Sequence, residues 1–139
     1  MFCDIVARRT EAAHLFEDAE FVGIMDKHPI NPGHVLVLPR KHYATIFEMP
    51  AAEVGRLFTK AAEVACAVKE TLGCEGLNMG QNNGSTAAQI IPHVHVHIIP
   101  RYPQDLAPGR WPSRRLASLP ELRRTADTIR RGLSPFARA

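Results

Sequence analysis

His93-Val94-His95-Val96-His97-Ile98-Ile99-Pro100 is the stretch on which the reading of this chain turns. On an extended backbone successive side chains point to opposite faces. The three histidines then share one face, and Val94, Val96 and Ile98 pack the other. Neighbouring imidazoles would stand about 6.6–6.8 Å apart along such a strand. A row of imidazoles among apolar residues is costly to bury unless each ring has a partner. The whole chain has seven histidines, so three within five residues exceeds what a solvated face requires. Two chemistries use such a row. Imidazole is a common zinc ligand. A neutral imidazole nitrogen is also a competent nucleophile near pH 7, with neighbouring rings to donate to phosphoryl oxygens.

Upstream, Phe21–Asp26 reads as a strand, His28-Pro29-Ile30-Asn31-Pro32-Gly33 as a turn and His34–Pro39 as a second strand. A long helix follows between Pro50 and Gly73. Val54, Leu57, Phe58, Ala61, Ala65, Val68 and Leu72 recur there at spacings of three and four. Gly76–Gln81 reads as a strand, Asn82-Asn83-Gly84 as a turn and Pro92–Ile99 as the histidine strand. The prolines and glycine between Arg101 and Ser118 predict an irregular segment, and Leu119–Leu133 a second helix. Strands around one long helix predict an α+β fold with a mainly antiparallel sheet.

Composition sets the class. With 139 residues, 45% hydrophobic and 22% charged, the chain is an ordinary globule of one domain's size. Its longest aliphatic run, Val35–Leu38, is far too short for a membrane span, and the start at Met1-Phe2-Cys3-Asp4 is not a signal peptide. Three cysteines form no disulfide framework, so a reducing, cytoplasmic location is expected. Residues 1–100 hold 8 basic and 11 acidic residues, whereas residues 101–139 hold 9 arginines and 3 acids. That basic tail lacks the interleaved aromatics of a nucleic-acid platform and reads as a solvated helix face, so nucleic acid is not the expected partner.

The histidine stretch resembles the signature of the histidine triad (HIT) superfamily of nucleotide hydrolases and transferases. So does Asn31-Pro32-Gly33-His34-Val35-Leu36-Val37-Leu38-Pro39-Arg40-Lys41-His42. Gly76-Leu77-Asn78, Asn82-Asn83-Gly84 and Gln89 resemble the family's phosphate-loop region, and Phe16-Glu17-Asp18 and Asp26 also fit. The resemblance predicts a HIT domain over residues 2–106, a C-terminal extension with an Arg-rich helix over 107–139, and a homodimer. It implies that His95 is the nucleophile toward the α-phosphorus of a nucleotide. The backbone carbonyl of His93 would set its tautomer, His97 would contact the phosphate and assist the leaving group, and His34 would face the triad from the neighbouring strand. Asp26 would accept from ribose hydroxyls, and Asn82, Gln89 and His97 would line the phosphate site. Plainer roles stay open beside these: a turn cap for Asp26, a structural amide for Gln89 and a hairpin turn at Asn83-Gly84. His14 and His28 read as surface residues. Phe21, Ile24 and Met25 are candidates either for a base pocket or for core. Trp111 is a candidate for packing or for approach to a partner's site.

Two positions depart from the family pattern. Ile90 stands where many relatives carry a hydroxyl that assists the leaving group. Some relatives also hold a structural zinc through Cys-x-x-Cys and two histidines. Here Cys3, His42 and His93 match, but the position three residues before Cys3 lies outside the sequence. A closed site needs four ligands, so no metal or other cofactor is expected. The expected activity is cleavage of a phosphoramidate or dinucleoside polyphosphate, with a purine nucleoside monophosphate released. The alternatives are a nucleotide-binding regulatory module with vestigial catalysis and a nucleic-acid-end processor using the arginine-rich tail.

Overall fold

The computed structural model describes residues 1–105 and 114–133. Its elements are α1 (Phe2–Val6), β1 (His14–Glu17), β2 (Phe21–Met25), β3 (Val35–Pro39), α2 (Ala51–Leu72), β4 (Gly76–Gly80), β5 (Val96–Arg101) and α3 (Leu119–Arg130). A single 3-10 turn, Ser85–Ala87, lies between β4 and β5. The five strands form one sheet in the order β1-β2-β3-β5-β4, every pairing antiparallel. The expected α+β class holds.

Every residue of β2 and β3 is buried because the central strands are covered on both faces. On one face Phe21, Met25, Val35, Val37, Val96 and Ile98 pack against Leu57, Ala61, Val64 and Val68 of α2 and Leu122, Ala126 and Ile129 of α3. On the other, Val22, Ile24, Leu36 and Leu38 meet Phe2 and Ile5 of α1. The pleat thus divides the hydrophobic residues between two clusters. Each fully buried aliphatic side chain contributes about 1.5–3 kcal/mol. Phe58, which the periodicity placed on the core side, is instead 38% exposed, and Val64 takes the inward position.

The turn into β3 depends on Gly33. Its φ is +98°, and a Cβ there would stand 2.4 Å from Leu72 Cδ1, so both conformation and space require glycine. Gly73 ends α2 in the left-handed conformation, its N–H bonded to the carbonyl of Lys69, as expected. Pro50 sits at the N-cap rather than inside the helix. In α3, Ser118 Oγ accepts from the N–H of Glu121, and Arg130 donates to the carbonyls of His14 and Leu15, occupying acceptors of the edge strand β1.

Two expectations need correction. The histidine strand runs over Val96–Arg101, not Pro92–Ile99, so His93 and His95 precede it. Asn82-Asn83-Gly84 is not a two-residue hairpin turn, because β4 and β5 are joined by a long connection that carries both the loop and two of the histidines. The expected irregular segment after Arg101 includes residues 106–113, and Trp111 with them, which lie outside the described residues. Among the described residues no helix is long and apolar enough to cross a membrane.

Candidate active site

The site is built on the face of the sheet that α1 covers. His34 precedes β3, and His97 lies in β5 opposite Leu36. His34 is fully buried, and its Nδ1 accepts the N–H of Ile30 at 3.1 Å. Its proton therefore sits on Nε2, which donates to His97 Nδ1 at 2.9 Å. His97 in turn carries its proton on Nε2, as a donor on the other side of a half-buried ring. Burial, joined by neighbouring His95, pushes the pKa of His97 down to about 4. Burial likewise pushes His34 down to about 3. Both are neutral at pH 7.

His95 is 8% exposed and its Nδ1–H donates to the carbonyl of His93 at 2.7 Å. That bond fixes the tautomer and leaves the lone pair on Nε2. Burial lowers its pKa too, so the free nitrogen is unprotonated at neutral pH. The His95 and His97 ring centroids are 4.9 Å apart, and Phe2 of α1 packs its edge against His95 with centroids 5.1 Å apart. The backbone becomes a strand only at Val96, directly after His95.

Asp26 is 9% exposed at the end of β2. Its Oδ1 accepts the N–H of His28, so it does cap the turn. Its Oδ2 lies 3.5 Å from His34 Nε2 and accepts from Arg114 Nη1 at 3.0 Å. Gln89 commits its amide to the loop: Nε2 donates to the carbonyls of Ala44 and Ile91, and Oε1 accepts from the N–H of Gly84. Asn83 Oδ1 accepts from the N–H of Ile46, which ties the same loop to the segment before α2. Asn82 is half-buried, and its side-chain amide makes no hydrogen bond among the described residues. Ile90 is 88% exposed on this loop. Phe21 and Met25 belong to the core beneath the helices, which removes them as base-pocket residues, while Ile24 lies in the cluster with Leu36 and Phe2. His28 is exposed as expected, whereas His14 is half-buried with Nδ1 directed at the carbonyl of Ala12.

The first histidine of the row does something else. His93 is 2% exposed, its Nε2–H donates to the carbonyl of Pro39 at 2.8 Å, and burial lowers its pKa. Its Nδ1 therefore presents a lone pair to His42 Nδ1, 3.3 Å away, and to Cys3 Sγ, 3.8 Å away. These three donor atoms all lie within 4.8 Å of one another. Two imidazole nitrogens and a thiol suit zinc, and these three residues would hold it with a fourth position open. Such an ion would play a structural part, joining α1 to the segment after β3 and to the start of the histidine stretch.

Sequence reading missed Arg114 and the role of α1. The arginine lies in a segment without a motif, and the charge bias of the tail marked it no more than its neighbours. The helix α1 is only five residues long, too short for periodicity to reveal.

An antiparallel five-stranded sheet with four histidines gathered beneath a short N-terminal helix defines an α+β protein with an imidazole-lined site. The chain belongs to the HIT family, whose domain model matches residues 7–104. It is 41% identical over 105 residues to an uncharacterised HIT-like protein of Methanocaldococcus jannaschii, covering 76% of this chain and 81% of the relative. It is 35% identical over 105 residues to the adenylylsulfatase HINT3 of Arabidopsis thaliana, covering 76% of this chain but only 53% of that protein. Among solved structures it resembles a zinc-bound histidine triad family protein of Mycobacterium smegmatis, with a TM-score of 0.83 and 30% identity over 94% of this chain and 90% of the other.

Proposed function

We propose that this protein cleaves a nucleotidyl bond through a nucleotidyl-histidine intermediate. The observation that carries the reading is the bond from His95 Nδ1–H to the His93 carbonyl, which leaves a neutral, lone-pair-bearing Nε2 in the row. That nitrogen attacks the α-phosphorus of a nucleotide, forming a P–N bond as the bond to the leaving group breaks with its electron pair. His97 Nε2–H donates to a phosphoryl oxygen or to the leaving group, its tautomer held by His34. Asp26 accepts from the ribose hydroxyls, and Asn82 contacts phosphate or ribose. Gln89 serves phosphate binding by shaping the loop. Water then attacks phosphorus, the P–N bond breaks, and a nucleoside monophosphate leaves with His95 regenerated.

The substrate class we favour is a purine nucleoside phosphate joined through phosphoramidate, phosphoric anhydride or sulfate, acted on by a cytoplasmic homodimer. The name of the Arabidopsis relative supports including sulfate. Ile90 supports a second reading, a nucleotide-binding module with vestigial turnover, since a side chain without a donor faces solvent on the loop. The test is release of adenosine monophosphate from adenosine phosphoramidate and from adenylyl sulfate, comparing the unaltered chain with His95→Ala in chelator-treated buffer. Turnover abolished by the substitution supports nucleotidyl transfer through His95. Tight monophosphate binding without turnover favours the second reading, and turnover that survives the substitution overturns the mechanism.

A further inference from the structure

His34 and His97 gather with Asp26 in the site, and burial keeps both imidazoles below their ordinary pKa. They can donate or accept, but they bring no positive charge to an anionic nucleotide. Asp26, the acid beside His34, brings a negative one. The cation that meets this group comes from beyond the residues matched by the HIT domain model. Arg114 Nη1 donates both to Asp26 Oδ2, at 3.0 Å, and to the carbonyl of His28, at 2.8 Å. The backbone behind it is clipped to the same turn, since the N–H of Ala117 donates to the carbonyl of Lys27 at 2.9 Å. The Arg114 side chain is 43% exposed while the Asp26 side chain is only 11% exposed, so the guanidinium covers the carboxylate from the solvent side. Among the described residues, its Nε and Nη2 donate to nothing.

We propose that Arg114 is a positioning residue for the nucleotide, cancelling the charge of Asp26 so that one site can accept a ribose diol and an adjacent phosphate anion together. The inference rests on the proposed nucleotide site and goes further by naming the group that makes its charges compatible. A carboxylate is the right acceptor for two hydroxyls but repels a phosphate held nearby. Pairing it with a guanidinium removes the repulsion and leaves its remaining lone pairs for the hydroxyls. The geometry fits this role. Arg114 reaches Oδ2 through a single nitrogen and is held in place by a second acceptor, the His28 carbonyl. Arg115 does not share it, being paired with Glu121 at 3.1 Å.

The experiment is calorimetric titration of the full chain with adenosine monophosphate, at low and high salt, for five proteins. They are the unaltered chain, Arg114→Ala, Arg114→Lys, Asp26→Asn and the Arg114→Ala/Asp26→Asn pair. Thermal unfolding of each establishes that the variants are folded. Arg114→Ala is expected to weaken binding by on the order of tenfold at low salt, and less at high salt. Lysine, which keeps the charge but not the fork, should recover part of the loss. In the Asp26→Asn background, where no charge needs cancelling, the arginine should matter less than about twofold. Unchanged or tighter binding by Arg114→Ala overturns the proposal, because the arginine would then be irrelevant or a plug over the acid. An equal loss in the Asp26→Asn background overturns it as well, because Arg114 would then act on the ligand independently. If the unaltered chain binds no monophosphate, the nucleotide reading itself fails and takes this inference with it. If the variants depart from these expectations while the unaltered chain binds, only the role of Arg114 is lost.

Discussion

His93 and His97 lie four residues apart in one motif, yet the molecule uses them in opposite ways. His93 precedes β5, and both its nitrogens point into protein: Nε2 to the carbonyl of Pro39, Nδ1 toward His42 and Cys3. His97 lies within β5 and spends only Nδ1 internally, on His34. His95 falls with His97 in this respect, held by the His93 carbonyl on one side and free on the other. The number of ring nitrogens bound to the fold therefore separates a histidine that builds the site from histidines that can act in it.

Substitution should separate the two roles. His97→Ala removes a half-buried ring with one free donor, so we expect turnover to fall by about 10³-fold, roughly 4 kcal/mol of transition-state stabilisation. The urea midpoint should move by less than for loss of His93, because the buried Nε2–H of His34, which loses this acceptor, still has Asp26 Oδ2 3.5 Å away. Single-turnover kinetics beside urea unfolding would check this, and a large stability loss would contradict the division. His93→Ala should show the reverse emphasis. It removes a packed ring, strands the carbonyl of Pro39 and loses the edge contact with Phe2, for a cost of about 3 kcal/mol in unfolding free energy. A His93→Ala variant as stable as the parent would show that Nδ1 and Nε2 are not anchors.

Much of this was legible in the sequence, and the failures have physical causes. The α+β class, β2, β3 and the long helix followed from periodicity and turn residues, because their hydrophobic patterns are long enough to register. The tautomer-setting carbonyl and the pairing of His34 with the triad followed from the family resemblance, and the distances are those of hydrogen bonds. The alternation of His93-Val94-His95-Val96 was misleading. An alternating pattern looks alike whether or not a strand pairs, and among the described residues no partner strand is aligned with His93, Val94 or His95. Helix α1 and strand β1 are too short to carry a period. Arg114 was invisible because its role comes from a crossing of distant segments that no local pattern encodes.

The two ends of the row also differ in how they should respond to metal. Asp26, His34 and His97 also bring three ligand atoms within 4.8 Å of one another, but there His34 Nε2–H already donates to His97 and Arg114 donates to Asp26 Oδ2, whereas Cys3, His42 and His93 converge as an equally close trio with a lone pair on His93 Nδ1. Zinc added to metal-free protein should therefore raise the unfolding temperature, with a stabilisation of about 2.7 kcal/mol at a zinc concentration a hundred times its dissociation constant. Cys3→Ser should remove most of that gain, and His97→Ala should leave it intact. The check is a zinc titration followed by thermal unfolding of all three proteins, and a gain lost in His97→Ala instead would place the metal at the wrong end of the row.

Proton uptake gives the smallest contrast and reports on the buried histidines together, with His34 and His97 the most strongly shifted. Burial holds His34 at about 3 and His97 at about 4, below the value near 6.5 that each regains on unfolding. Between those values the unfolded chain binds protons that the folded chain refuses, so stability rises with pH across the interval. The full contribution is present above about pH 6.5 and is lost as pH falls toward 4 and then 3. Each such group adds a slope of up to about 1.4 kcal/mol per pH unit. Two carboxylates add a similar loss only further down, below their ordinary range. Glu17 is lowered chiefly by Arg8, and at Asp18 burial is outweighed by the N–H groups of Phe21 and Glu20. Urea unfolding at pH 7, 6, 5 and 4.5 therefore isolates the histidines. His34→Gln should flatten the curve by one proton's worth. A curve as steep in His34→Gln as in the parent would mean that the pair is already protonated in the folded state, and that His97 is not held by His34 as an acceptor.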